Sequence, residues 1–493
     1  MTDTYIVPKW LSTLGLLAVI GIIEGLLLLL NKPSKMNVPL LFTMVALTCL
    51  SQAIYVIMQV LGIIQRCSQD TMGSFDNPAG LVACLCACVP YCFYLSNKTH
   101  NVILKFLVAI IVAVIIIALF ISESRTGILA GFLFPFTWLA FCRIKKGRIK
   151  LLVLSGGLIF LSVMYIVKKD SADGRLFIYN CALEMTKERP ILGYGMNGVQ
   201  AHYMDFQAKW LSEHPNSRFA YLADNVNTVF NEYLTIVICF GLVGIVVLCL
   251  YICLMIHCYR KTPSKETKCA LMSLIVIGIL CCFSYPFTYP FTWIVLVLNS
   301  YILIHRAYPL TMVNKVRYPV AILLLIISSF VGYGVLKRTQ AEQEWRQVSH
   351  TVLLEKNKDV LSCYNSLMGT LGNEPYFLYN YAAELYIAEH YDEALLIAQR
   401  CRSLWADYDL EILLGEIYFK LYNYKESENH FRLASQMCPV RFVPLYRLFC
   451  LYRKMGLVNR AQMIGEKIIN KPIKVYSHKV DYIINKVKLD MAK

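Results

Sequence analysis

The sequence is poor in charge. Only 16% of its 493 residues are Asp, Glu, Lys or Arg, against 57% hydrophobic, whereas a soluble chain of this size carries about 25% charge. That shortage excludes an ordinary soluble enzyme and makes the chain a membrane protein. Acidic residues are the scarcer sign, with 32 Asp and Glu facing 48 Lys and Arg. The net charge of +16 would suit a nucleic acid if it were clustered, but it is dispersed over separate short loops, so no nucleic-acid partner is expected. Zinc-ligand spacing is lacking too: the 19 cysteines form no CxxC pair and no Cys/His cluster. Most of those before Leu336, such as Cys84, Cys86 and Cys88, lie in apolar runs where a thiol serves as a small hydrophobe. Cys363, Cys401, Cys438 and Cys450 fall in helical repeats where nothing fixes a pairing, and no disulfide is expected. The first apolar run lacks a small-residue cleavage pattern and reads as an anchor. Long apolar runs are missing after Leu336. The chain therefore has two parts.

What is present before Leu336 is a series of apolar stretches of spanning length. Ten spans are read, near Trp10 to Leu30, Pro39 to Ile64, Ala79 to Leu95, Val102 to Ile121, Thr126 to Cys142, Leu151 to Val167, Phe230 to His257, Ala270 to Tyr285, Phe291 to His305 and Tyr318 to Leu336. Two of these, Thr126 to Cys142 and Phe291 to His305, are short for a ~30 Å hydrocarbon core. Lys and Arg concentrate in alternate loops: Lys32 and Lys35; Lys98 and Lys105; Arg143 to Lys150; Arg260 to Lys268; Arg306 to Arg317. Cytoplasmic loops retain positive charge. The N-terminus, the long loop from Lys168 to Val229 and everything after Leu336 are then expected on the far side. The first part is residues 1–336 and the second residues 337–493.

The second part repeats itself at a period near 34. Ala383, Gly415 and Phe449 take one position, Tyr386, Tyr418 and Tyr452 the next, and Ala394, Ser427 and Ala461 a third. This resembles the tetratricopeptide arrangement, in which small residues let paired helices approach closely. Such an array serves either as a scaffold capping the membrane part or as a concave surface for a protein partner or acceptor.

Polar residues beside spans are functional candidates. Three clusters qualify. In "SESRTGILAG", Arg125 stands at the external mouth of the fifth span. In "DSADGRLFIYNCALEMTKERPILGYGMNGVQAHYMDFQ", Arg175 is expected to open a helix with Leu176, Tyr179, Leu183 and Thr186 on one face; Pro190 ends it, and Gly193, Gly195 and Gly198 form a tight turn. Asp170 and Asp173 read as a solvated turn before that helix rather than as metal ligands. In "ADNVNTVFNEYLTIVICFGLVG", Asn227 or Thr228 is suited to cap a helix starting near Phe230, with Glu232 at its positive end.

In that order the three clusters resemble the O-antigen ligase and polymerase superfamily, which includes bacterial O-oligosaccharyltransferases, over roughly Ser122 to Gly244. The resemblance implies an all-α, GT-C-like glycosyltransferase in the bacterial inner membrane, acting at the periplasmic face with its C-terminal repeats also periplasmic. It would pass a glycan from an undecaprenyl diphosphate carrier to an acceptor glycolipid or protein, with no cofactor and no metal. Arg125 and Arg175 match the arginines the family places near the diphosphate. Guanidinium groups suit that role because they bind phosphate oxygens in a bidentate fashion and stabilise charge on the leaving group. An acceptor hydroxyl gains from a general base, but where the ligases have a histidine this chain has Phe230. Asp224 and Glu232 are the substitutes, with His202 and His214 also in the loop; Gly193, Gly195, Gln207, Asn225 and Asn231 complete the expected substrate contacts. The competing readings are a polysaccharide transporter or flippase, and an envelope scaffold. Few charges lie inside the spans, Glu24 and Glu232 being the clearest, which disfavours the transporter.

Overall fold

The computed structural model describes residues 9–30, 37–64, 72–122, 169–308, 314–354 and 360–492. Among them the chain is all helix, without a strand. Two of the expected spans, Thr126 to Cys142 and Leu151 to Val167, lie outside the described residues, as does Arg125. The chain divides into two compact units, one of residues 1–167, 230–233 and 246–339, the other of residues 168–229, 234–245 and 340–493.

The first unit contains α1 (Lys9–Leu29), α2 (Val38–Val60), α3 (Pro78–Lys98) and α4 (Val102–Ile121). It also holds most of α8 (Glu232–Lys261), α9 (Lys265–Cys281), α10 (Pro290–Ala307) and the first part of α11 (Asn314–Leu354). Asparagines start three of these helices: Asn37, Asn77 and Asn101 each accept a backbone N–H of the first turn, at Leu40, Ala79 and Ile103, which satisfies donors the helix itself leaves open. Six described helices are long and apolar enough to cross a membrane: α1 to α4, α8 and α11. Of the other expected spans, α9 and α10 are helices of 17 and 18 residues, and α9 stops at Cys281 before a 3-10 turn at Pro286–Thr288.

Helix α3 is the centre of this unit. Its Ala83, Cys84, Cys86, Ala87, Cys88 and Cys92 side chains are buried, and it packs against α2, α4, α9 and α10, because small residues let neighbouring helices approach where there is no water to drive association. A polar network crosses the packing, with Tyr91 donating to Asn299 (3.0 Å) and Ser273 donating to the Ala87 carbonyl (3.0 Å). Contrary to the expectation of free thiols throughout, Cys49 of α2 is bonded to Cys88 of α3. Small residues also seat α1 on α11: a Cβ at Gly21 would lie 2.1 Å from the Ser328 hydroxyl, and one at Gly25 2.7 Å from Leu325.

The second unit contains α5 (Lys169–Glu188), α6 (Gly198–Glu213) and the short α7 (Phe219–Leu222). After the end of α11 come α12 (Val360–Leu371), α13 (Pro375–Ile387), α14 (Tyr391–Leu404), α15 (Tyr408–Lys420), α16 (Tyr424–Met437), α17 (Val443–Lys454), α18 (Val458–Ile469) and α19 (His478–Met491). Three successive pairs, α13/α14, α15/α16 and α17/α18, pack as hairpins. The same turn closes each pair. A residue of positive φ stands at Glu389, Tyr422 and Gly456, and the next N–H returns to a carbonyl in the last turn: His390 to Leu385, Asn423 to Tyr418, Leu457 to Tyr452, all 2.9 Å. This is the geometry by which a helix end satisfies its open carbonyls. Ala394, Ser427 and Ala461 are buried at equivalent places, and the Ser427 hydroxyl donates to the Gly415 carbonyl across its pair (2.8 Å).

Candidate functional site

The sequence pattern places the turn after Pro190 in a loop and treats α8 as one helix. The backbone shows otherwise. At Gly241 the chain has φ 57° and ψ −145° inside α8, a conformation essentially reserved for glycine. Such a break removes two helical hydrogen bonds, from the N–H groups of Leu242 and Val243 to the carbonyls of Ile238 and Cys239. The loop supplies all four missing partners. Tyr194 and Gly195 donate to the Ile238 and Cys239 carbonyls (2.9 and 2.8 Å), while Leu242 and Val243 donate to the Pro190 and Ile191 carbonyls (2.8 and 3.3 Å). Two glycines permit the approach. A Cβ on Gly193 would lie 2.4 Å from the Ile238 carbonyl oxygen, and one on Gly241 2.4 Å from the Ile191 carbonyl. Gly193 and Gly195 both have positive φ, so the expected tight turn is present, with its amides committed to backbone partners.

Around that turn, α5 and α6 depart from expectation in detail. Helix α5 begins at Lys169 rather than near Arg175, so Asp173 is not in a solvated turn. Its carboxylate is buried, 3.4 Å from Arg218; pairing with a cation is what makes such burial tolerable. The buried face is Phe177, Ile178, Cys181, Ala182 and Met185, while Leu176 and Leu183 of the expected face are exposed. Phe177 stacks on Phe219 (5.4 Å) and meets Trp210 edge-on (5.1 Å). Arg175 is half-buried on α5.

The loop is fastened to the C-terminal helices within the same unit. Gln207 is fully buried on α6. It donates to the carbonyls of Asp224 (2.9 Å) and Met437 (2.8 Å) and accepts from the Tyr203 hydroxyl (3.2 Å). Asp224 is half-exposed and paired with Arg441 (2.8 Å). Asn225 donates to Asp407 (2.5 Å), while its own Oδ1 is buried with no hydrogen-bond partner among the described residues. Gln200 accepts from the Ala406 amide (3.0 Å). Arg402 of α14 reaches both Asp205 of α6 and Glu411 of α15, and His430 sits 2.6 Å from the other oxygen of Glu411. Burial pushes the Asp205 and Asp407 carboxyls up; Arg402 opposes the first shift and the Asn225 amide the second. His202 lies against the Tyr194 ring (4.9 Å), and burial pushes its pKa down against the pull of Asp205. His214 stacks on Trp210 (4.3 Å).

The residues that open α8 belong to the first unit, and there they lean on the last turn of α9 and the segment after it. Phe230 has φ 52°, which for a bulky side chain is an outlier worth about 1–3 kcal/mol of strain; its ring meets Tyr285 edge-on at 5.5 Å. Asn231 donates to the Cys282 carbonyl (3.2 Å), Glu232 accepts the Phe287 amide (3.0 Å), and Tyr233 donates to the Gly278 carbonyl (2.8 Å). Since α8 starts at Glu232, Asn231 holds the cap position rather than Asn227 or Thr228.

Arg175, Gly193, Gly195, Gln207, Asp224 and Asn225 thus share one unit, and Asn231 and Glu232 the other. Sequence reasoning missed Gly241, Arg402, Asp407 and Arg441. The only signal for Gly241 was a glycine within an unbroken apolar run; for the other three there was none, since charges on amphipathic helices read as a solvated face. Residues 109–249 match the family model described as O-antigen ligase. The match contains all the site residues expected from sequence, and Gly241, but none of the C-terminal helices. No curated protein matches the chain.

Proposed function

We propose, from the premise that residues 109–249 form an O-antigen ligase domain, that this multi-pass membrane protein transfers a glycan from an undecaprenyl diphosphate carrier to an acceptor hydroxyl. Its place is surface polysaccharide or glycoprotein biosynthesis in the bacterial inner membrane. The observation that carries the reading is that match, because it spans both arginines, the loop and the break in α8. Arg125 and Arg175 bind the diphosphate and stabilise the charge released with it. Asp224 or Glu232 takes the acceptor's proton, in place of the histidine for which Phe230 stands. The C-terminal hairpins, read as tetratricopeptide-like, hold the loop and offer a surface to a protein partner.

A break such as that at Gly241 also occurs in transporters, where unwound backbone coordinates cargo. Here its open groups are taken by Pro190, Ile191, Tyr194 and Gly195, which favours the transferase. The test is incubation of the purified protein with a defined lipid-linked glycan and separate candidate acceptors, with mass spectrometry of the products. Arg125→Ala and Arg175→Ala are each expected to abolish transfer without loss of fold. Full activity in both variants would remove the site assignment, and movement of lipid-linked glycan across vesicles with no new covalent bond would establish the transporter.

A further inference from the structure

Beside the break in α8 lies an exposed apolar surface. Ile191, Leu192 and Met196 at the loop tip are 63%, 73% and 84% exposed, and Phe240, Leu242 and Val243 beside them are also exposed. Four backbone hydrogen bonds join the two segments across Gly241, and the backbones approach so closely that neither Gly193 nor Gly241 has room for a Cβ. A contiguous exposed apolar patch on a folded surface marks an interaction site.

What covers it follows from α8. The helix ends at Arg260 and Lys261, residues that anchor a span at the interface. From there back to Leu242 is 20 residues, about 30 Å of helix and the thickness of the hydrocarbon core. With Arg260 and Lys261 at one boundary of the bilayer, the break at Gly241 would fall at the other. Further along α8, Ile245, Val246, Val247 and Leu250 are exposed as well. Polar groups flank the tip in the chain: Arg189 rests on the Tyr194 ring (4.7 Å), whose hydroxyl donates to Glu188 (3.2 Å). An aromatic and a cation beside an apolar tip are the composition of a segment lying in the interface plane.

We propose that residues 190–196 form a wedge seated in the outer hydrocarbon boundary, with bulk bilayer lipid as its occupant. Ile191, Leu192 and Met196 enter the acyl region while Arg189 stays among the headgroup phosphates. The loop is thus tethered to the membrane at its tip, independently of any substrate.

The test uses the full chain in vesicles containing a phospholipid with a photoreactive group on its acyl chain, followed by peptide mapping of adducts. Adducts are expected on the 189–197 peptide as well as on residues 245–255 of α8. In Leu192→Asp, those at the tip should be lost and those on α8 retained. Labelling of α8 without labelling of the tip overturns the proposal. So does labelling of the tip by a photoreactive polyprenyl diphosphate alone, since the surface would then be a seat for the donor. The readout needs no glycan transfer, so a failure of the enzymatic reading leaves it interpretable.

Discussion

At the scale of single residues, the side chains that hold the loop are not those that stand out in the sequence. Arg402 serves two carboxylates at once, and Glu411 is fully buried. Removing the guanidinium leaves that carboxylate with His430 alone, a loss of about 3–5 kcal/mol for a broken buried pair. Arg402→Met is therefore expected to raise hydrogen exchange in α6 and α15, and Arg402→Lys to restore it only in part, because an ammonium lacks the planar fork. Unchanged exchange in the Met variant would show the pair to be dispensable. His202 makes a pH-dependent contribution. Its folded pKa is pushed below the ordinary 6.5, first by burial and further by Arg189 and Arg402, against Asp205. The unfolded chain thus binds the proton more readily, and stability present above pH 6.5 is lost as pH falls through the window beneath it. Protection of α6 from exchange should decline on going from pH 7.5 to 5.5, and His202→Gln should flatten that dependence; an equal decline in the variant would move the cause elsewhere.

At the scale of elements, what was legible was periodic. Apolar runs located α1 to α4, α8 and the start of α11, and the 34-residue register located the three hairpins, because both are local patterns that survive into the fold. The break in α8 was not legible. Gly241 sits in a run whose neighbours all favour continuing the helix, and the reason to stop is a loop nearly fifty residues upstream whose carbonyls and amides replace the lost bonds. The packed face of α5 was misread for a related cause: Leu176 and Leu183 are as apolar as Phe177 and Met185, and only the positions of Trp210 and Phe219 decide which set is covered. The glycines of the turn were recognised, since positive φ has a sequence signature, yet what they approach was not.

At the scale of the whole chain, the C-terminal helices and the loop are one compact unit, although they are far apart in sequence. Deleting residues 340–493 would remove one partner from each of Gln207, Asp205, Asp224 and Asn225: Met437, Arg402, Arg441 and Asp407. The truncated protein is expected to lose order in residues 198–229, measured by hydrogen exchange, and to lose donor binding along with acceptor use. Retained donor binding with acceptor use alone impaired would instead assign the hairpins to acceptor recruitment. The bond from Gln207 to Met437 spans 230 residues, and this has a bearing on biosynthesis. At about 5–20 residues per second, roughly ten to fifty seconds separate the synthesis of the two ends. During that interval the nascent loop has α8 to brace its tip but no lid over Gln207 or Asp205. The growing chain must therefore pass through a stage in which its polar loop is delivered but unclasped, and the ribosome's pace sets how long it waits.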